Sequence, residues 1–118
     1  MNKEELKERT KTFAHRCVKL SLSLPKTKLA QHISGQLIRC STSVAANYRA
    51  VCLAQSKASF ISKISIVLEE MDVPINRDWL EFILEENLMT ESQVSNLIKE
   101  ANELTAIFFS SRKTVRIN

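Results

Sequence analysis

Core-forming side chains recur at alternating four- and three-residue steps in every segment of this chain, and only helices present such a spacing on one face. The first run is Leu6, Thr10, Phe13, Cys17, Leu20 and Leu24, preceded by Asn2 and Glu5, which stand where an N-cap and its reciprocal partner belong. Pro25 fits a first helical turn but not a helix interior, so it marks the first corner. From about Lys26 a longer helix carries Leu29, Ile33, Leu37, Cys40, Val44 and Val51 on one stripe. Small residues flank that stripe, among them Gly35, Ser41, Ala45 and Ala46, and permit close helix approach.

Ser56 is placed to cap a third helix with Phe60, Ile64, Val67 and Met71 on one face, and Pro74 predicts a break or kink in it. The pattern resumes at Trp79, Leu80, Phe82 and Ile83 and stops near Asn87. Thr90 and Gln93 form a capping box for a last helix whose seam is Val94, Leu97, Ala101, Leu104 and Phe108, and the basic tail after it is expected to fray. These runs predict one all-α domain over residues 1–118, an antiparallel up-and-down four-helix bundle with neighbours crossing at about 20°.

Glycine occurs once and proline twice, which leaves almost no material for the tight turns of a sheet. The three cysteines, Cys17, Cys40 and Cys52, have neither disulfide nor zinc spacing, and their odd number suits a reducing cytoplasm. No apolar run approaches the roughly 20 residues of a membrane span, so no membrane partner is expected.

Charge is unevenly spread. Residues 1–60 hold 11 Lys and Arg against 3 Asp and Glu, and residues 61–118 hold 6 against 10. The basic half points to a polyanion or an acidic partner surface. Lys11, Arg16, Lys19, Arg39, Arg49, Lys57 and Lys63 are the candidate nucleic-acid contacts. None belongs to a base-reading motif, so binding would be to RNA or DNA backbone phosphates and salt-dependent. In the plainer alternative, a net charge of +4 only keeps the chain soluble.

With the seams turned inward, Val18, Ile38, Leu53, Ile66 and Phe109 fall on the outside. Five large apolar groups exceed what a small monomer exposes, so they predict a homo-oligomer interface, unless the register drifts by a position.

The residues offer no catalytic chemistry. A di-iron bundle needs Glu-x-x-His pairs, but Thr12 precedes His15 and Leu29 precedes His32 by three, so both histidines read as solvated. One glycine cannot build a phosphate loop, and no metal or cofactor site is expected. Glu69-Glu70 and Glu85-Glu86 point about 100° apart as neighbours and read as a solvated acidic face.

Gln36, Arg39, Ser43 and Asn47, followed by Ser56, Phe60, Glu69, Glu70, Trp79 and Leu80, form a pattern that resembles the bacterial 23S ribosomal RNA intervening sequence proteins. The likeness is close over the second and third helices. Ala50 stands where such proteins usually carry Glu, and the link before Trp79 is longer and contains Pro74. The resemblance implies a homopentameric bundle with a positive surface and no enzymatic activity. Relatives include accessory proteins of diversity-generating retroelements, which bind nucleic acid and a reverse transcriptase. A protein-interaction scaffold or accessory subunit holding a protein partner is the alternative function. Within the motif, the sequence Val44, Asn47, Val51 turns the Asn47 amide inward, where a buried Asn sets register, with ligand contact as the alternative role. Arg49 then faces outward.

Overall fold

The computed structural model describes residues 1–117, apart from the side chains of Val73, Asn76 and Arg77; the tail residue Asn118 lies outside it. Among the described residues the chain is all-helical. It runs through α1 (Lys3–Leu22), α2 (Lys28–Cys52), α3 (Lys57–Glu70), a π-helical stretch (Met71–Leu80), α4 (Glu81–Glu85) and α5 (Glu91–Ile117).

Local chemistry sets the ends. Asn2 Oδ1 accepts from the Glu5 amide at 2.8 Å and Asn2 Nδ2 donates to Glu5 Oε1 at 3.0 Å, closing both halves of the first cap. Pro25 lies in the corner as expected, but α2 begins at Lys28, where the Thr27 hydroxyl accepts from the Ala30 amide at 3.1 Å. Ser56 caps α3 by accepting from the Ser59 amide at 3.0 Å. Thr90 meets Gln93 through side chains alone, its hydroxyl donating to Oε1 at 2.8 Å. Between α4 and α5, Asn87 takes a φ of 52°, a left-handed turn that Asn tolerates better than most residues.

The α-helix is interrupted around Pro74, by a change of helix type rather than by a gap. The backbone passes from α3 into ten π-helical residues and on into α4 without a gap. The buried side chains there are Met71, Ile75, Leu80 and Ile83, and the five-residue step from Ile75 to Leu80 would swing Leu80 off the core face of an α-helix. The wider i to i+5 turn brings it back and also accommodates a residue that cannot donate an α-helical hydrogen bond.

Packing runs from α1 to α2 to α3 to α5 and back to α1, with the π stretch against α2 and α5. The molecule is elongated, 47 × 21 × 21 Å. The seams of α1 and α5 are buried as read, and so are Ile64, Val67 and Met71. Three positions and the tail differ. Leu29 is 40% exposed and Ala30 takes its place on the stripe, because the first turn of α2 meets the core one residue later. Phe82 is 41% exposed, since Leu80 and Ile83 already fill the core face of α4. Asn47 is not the inward residue: the seam runs from Val44 through Tyr48 to Val51. Tyr48 brings a large apolar ring that packs 5.2 Å from Phe108, whereas the Asn47 amide donates within its own helix to the Ser43 carbonyl at 2.9 Å and hydroxyl at 3.1 Å. The tail is helical to Ile117 rather than frayed, held by Arg112 Nη1 donating to Ser65 Oγ at 3.1 Å.

Candidate nucleic-acid interface

The seven cations singled out in the sequence do not form one patch. Lys11 and Arg49 face each other across an open groove of about 710 Å³ between α1 and α2, with Lys7 and His15 on the same rim and Glu8 among them. Its floor is apolar, made by Ala14, Val18, Ala45 and Ala46. Arg16 and Lys19 lie on the other flank of α1, in a hollow of about 340 Å³ shared with Ser23, Gln93 and Asn96. The exposed face of α1 from Lys11 to Lys19 therefore carries cations, whereas its first turns carry Glu4, Glu5 and Glu8. Lys11, Arg16, Lys19 and Arg49 are exposed and make no ion pair among the described residues.

Lys57 and Lys63 sit apart on α3, which packs on α2 and α5. Arg39 is already engaged. Its Nη1 is 3.6 Å from Glu70 Oε1, Nη2 donates to Cys40 Sγ at 3.2 Å, and Nε donates to Gln36 Oε1 at 3.3 Å. Glu70 is thus not part of a solvated acidic face, although Glu69 is exposed; the Glu70 Oε2 atom is buried without a hydrogen-bond partner. Burial, reinforced by the Glu70 carboxylate, pushes the Cys40 thiol up to about 11, and the Trp79 indole also reaches this sulfur. Gln36, Arg39, Glu70 and Trp79 consequently gather around one buried cysteine and tie α2 to the arm that contains the π stretch. His32, exposed as expected, meets the edge of Trp79 at 5.8 Å.

A family model of the 23S rRNA-intervening sequence proteins matches residues 2–110. The chain belongs to that family. It is also similar to a solved protein of unknown function from the S23 ribosomal protein family of Bacteroides thetaiotaomicron, at 30% identity and a TM-score of 0.86, over 96% of this chain and 99% of that one. No curated protein matches. In this member of the family, Gln36, Arg39, Glu70 and Trp79 of the motif meet around Cys40, while Lys11, Arg16, Lys19 and Arg49 make no ion pair among the described residues.

Lys7 and His15 were missed as rim residues, although the spacing Lys7, Lys11, His15 is a four-residue helical repeat. Gln93 and Asn96 carried no signal, because only packing brings α5 beside Arg16.

One cation beyond the candidate set is also committed. Arg9 forms a two-pronged pair with Glu100, Nη2 to Oε1 at 2.6 Å and Nε to Oε2 at 2.8 Å, with Glu103 at 3.5 Å. The hydrogen bonds from Arg9 hold the Glu100 carboxyl below its usual range, against the opposing effect of burial. A carboxyl whose folded value is depressed contributes stability above its unfolded value of about 4.3 and loses it as the pH falls through the folded one. Arg9→Ala is expected to lower stability at pH 7 and to flatten its decline below about pH 4.5, as read from urea midpoints across pH.

No helix among the described residues is long and apolar enough to cross a membrane. Among the same residues no group of three His, Cys, Asp or Glu could hold a metal ion.

Proposed function

We propose that this protein is a non-enzymatic, oligomeric nucleic-acid-binding protein of the cytoplasm that holds RNA or DNA by its backbone along the outer face of α1. One observation carries the reading: Lys11, Arg16 and Lys19 stand unpaired on a single helix, between two hollows whose walls add Arg49, Gln93 and Asn96. Cations on the two flanks of one helix neutralise neighbouring phosphates, while amide side chains supply hydrogen bonds without selecting sequence.

The molecule is read as four antiparallel legs, α1, α2, the arm from α3 through α4, and α5. Copies associate through surplus apolar groups, as a pentamer by the family resemblance. Of the five residues assigned to that contact, Leu53, Ile66 and Phe109 are 72%, 40% and 45% exposed, whereas Val18 and Ile38 are half-buried. Association would multiply the basic face and add weak contacts through avidity. The three free thiols suit a reducing compartment.

Fluorescence anisotropy with labelled RNA and DNA at about 50 mM salt, where phosphate contacts are strong, tests the binding. The expected result is association that weakens steeply with added salt, and absence of binding to both would overturn it. Light scattering tests the oligomer, which should exceed the 13.4 kDa chain several-fold. The apolar floor of the α1–α2 groove favours a protein contact beside the nucleic acid.

A further inference from the structure

We infer that the hollow between α1 and α5 takes an unpaired base, which makes single-stranded nucleic acid the ligand of the basic face. The inference rests on the nucleic-acid reading above and narrows it to one class of strand.

α1 meets α5 less closely than it meets α2, and near the start of α5 the gap between them is a hollow of about 340 Å³. Its floor is Leu20, Met89 and Leu97. That volume lies near the bottom of the roughly 300–1,000 Å³ of small-ligand pockets, which suits one flat ring system rather than a helix of a partner.

Charge and hydrogen-bonding groups stand around this floor. Arg16 and Lys19 lie one turn apart on α1, and Gln93 and Asn96 one turn apart on α5, so two cations look across the opening at two amides. All four are exposed. The Gln93 Oε1 atom accepts from the Thr90 hydroxyl at 2.8 Å, which leaves Nε2 to donate outward. No carboxylate lines the hollow among the described residues, and Glu100, one turn beyond Asn96, is held by Arg9.

These groups divide among them what a nucleotide offers. The cations take phosphates, the floor and the flat Arg16 guanidinium take the face of a base, and the amides, which both donate and accept, meet its edge. Phosphates alone would need neither floor nor amides. A duplex keeps its bases paired and stacked, whereas a single strand splays them out, so only the second can fill the hollow. Every base has a flat face and a polar edge, and the site therefore tolerates any sequence.

The test turns on a reversal of the ordinary electrostatic preference. A duplex packs its charge more densely than a single strand, so a merely basic surface favours the duplex. Fluorescence anisotropy of the full-length protein at about 50 mM salt compares three labelled ligands of equal length: a single strand of mixed sequence, a blunt duplex, and a single strand whose internal sites are abasic. The intact single strand should bind about tenfold more tightly than either of the others, the scale of one base contact. Gln93→Ala with Asn96→Ala should abolish that difference by weakening the intact strand alone, and Lys11→Ala should weaken all three alike. A duplex or abasic strand bound as tightly as the intact one, or a double variant that keeps the preference, overturns the inference and leaves the backbone-binding reading standing. Displacement of the intact strand by an equal concentration of adenosine monophosphate overturns it too, since the hollow would then serve free nucleotides. Should the double variant fail to fold by circular dichroism, the abasic comparison decides by itself. Absence of binding to all three ligands would instead reject the nucleic-acid reading, and this inference with it.

Discussion

Replacing Phe108 by Ala lowers the free energy of unfolding by about 3–5 kcal/mol, a large share of the roughly 5–15 kcal/mol that holds a domain of this kind together. The ring is fully buried, and it reaches across the core from α5 to lie 5.2 Å from Tyr48 of α2. Deleting it removes a large apolar area, leaves a cavity that helices on several sides cannot all close, and strips Tyr48 of an aromatic neighbour worth about another 0.5–1.5 kcal/mol. Urea unfolding followed by circular dichroism should show the midpoint falling with little change in slope. The neighbouring Phe109→Ala is the internal control. Its ring is nearly half exposed and should cost far less. A loss below about 1 kcal/mol at Phe108 would mean that the α5 to α2 packing described here is wrong.

The second large effect is on binding. Substituting Lys11, Arg16 and Lys19 together by Ala should reduce the salt dependence of nucleic-acid association by about 2–3 in the slope of log affinity against log salt, because each phosphate contact contributes about 0.7–0.9. At about 0.1 M salt that amounts to a loss of roughly two to three orders of magnitude in affinity. The folded state should be nearly untouched, since all three side chains are exposed and none is ion-paired among the described residues. The same treatment of Lys57 and Lys63 should matter far less, as they lie on α3, away from this face. Equal losses from the two sets would show diffuse attraction to a positive chain rather than a site on α1. Arg39→Ala belongs to neither group. Its removal would leave the half-buried Glu70 carboxylate without its cation and so act on stability as well as on binding.

Much of the helical plan was legible because it depends on spacing and on local hydrogen bonds. Asn2, Ser56 and the Pro25 corner act over three or four residues, so neighbours in the chain suffice to set them. The seams of α1 and α5 were readable for the same reason, since only one register buries their large groups. The α2 register was not. Val44, Asn47, Val51 and Val44, Tyr48, Val51 are both acceptable heptad runs, and the choice between them lies in the Phe108 ring on α5, 60 residues away. Pro74 announced the interruption of the α-helix but not its form. Proline disfavours an α-helix locally, but the five-residue step from Ile75 to Leu80 rewards a π turn once α2 and α5 offer a core to face.

The candidate site divides in the same way. That residues 1–60 are basic and residues 61–118 acidic is a property of the chain, as are the single glycine and the lack of any metal-ligand spacing. Which of those charges are paired is a tertiary fact: Arg9 and Arg39 look no different from Arg16 and Arg49 in the sequence, yet carboxylates at Glu100 and Glu70, on other helices, pair with the first two, whereas Arg16 acts on Glu100 only at longer range and Arg49 makes no ion pair among the described residues. Periodicity and capping are short-range and so written in the sequence itself, whereas pairing of charges and the choice between equivalent seams depend on groups brought close only by the fold.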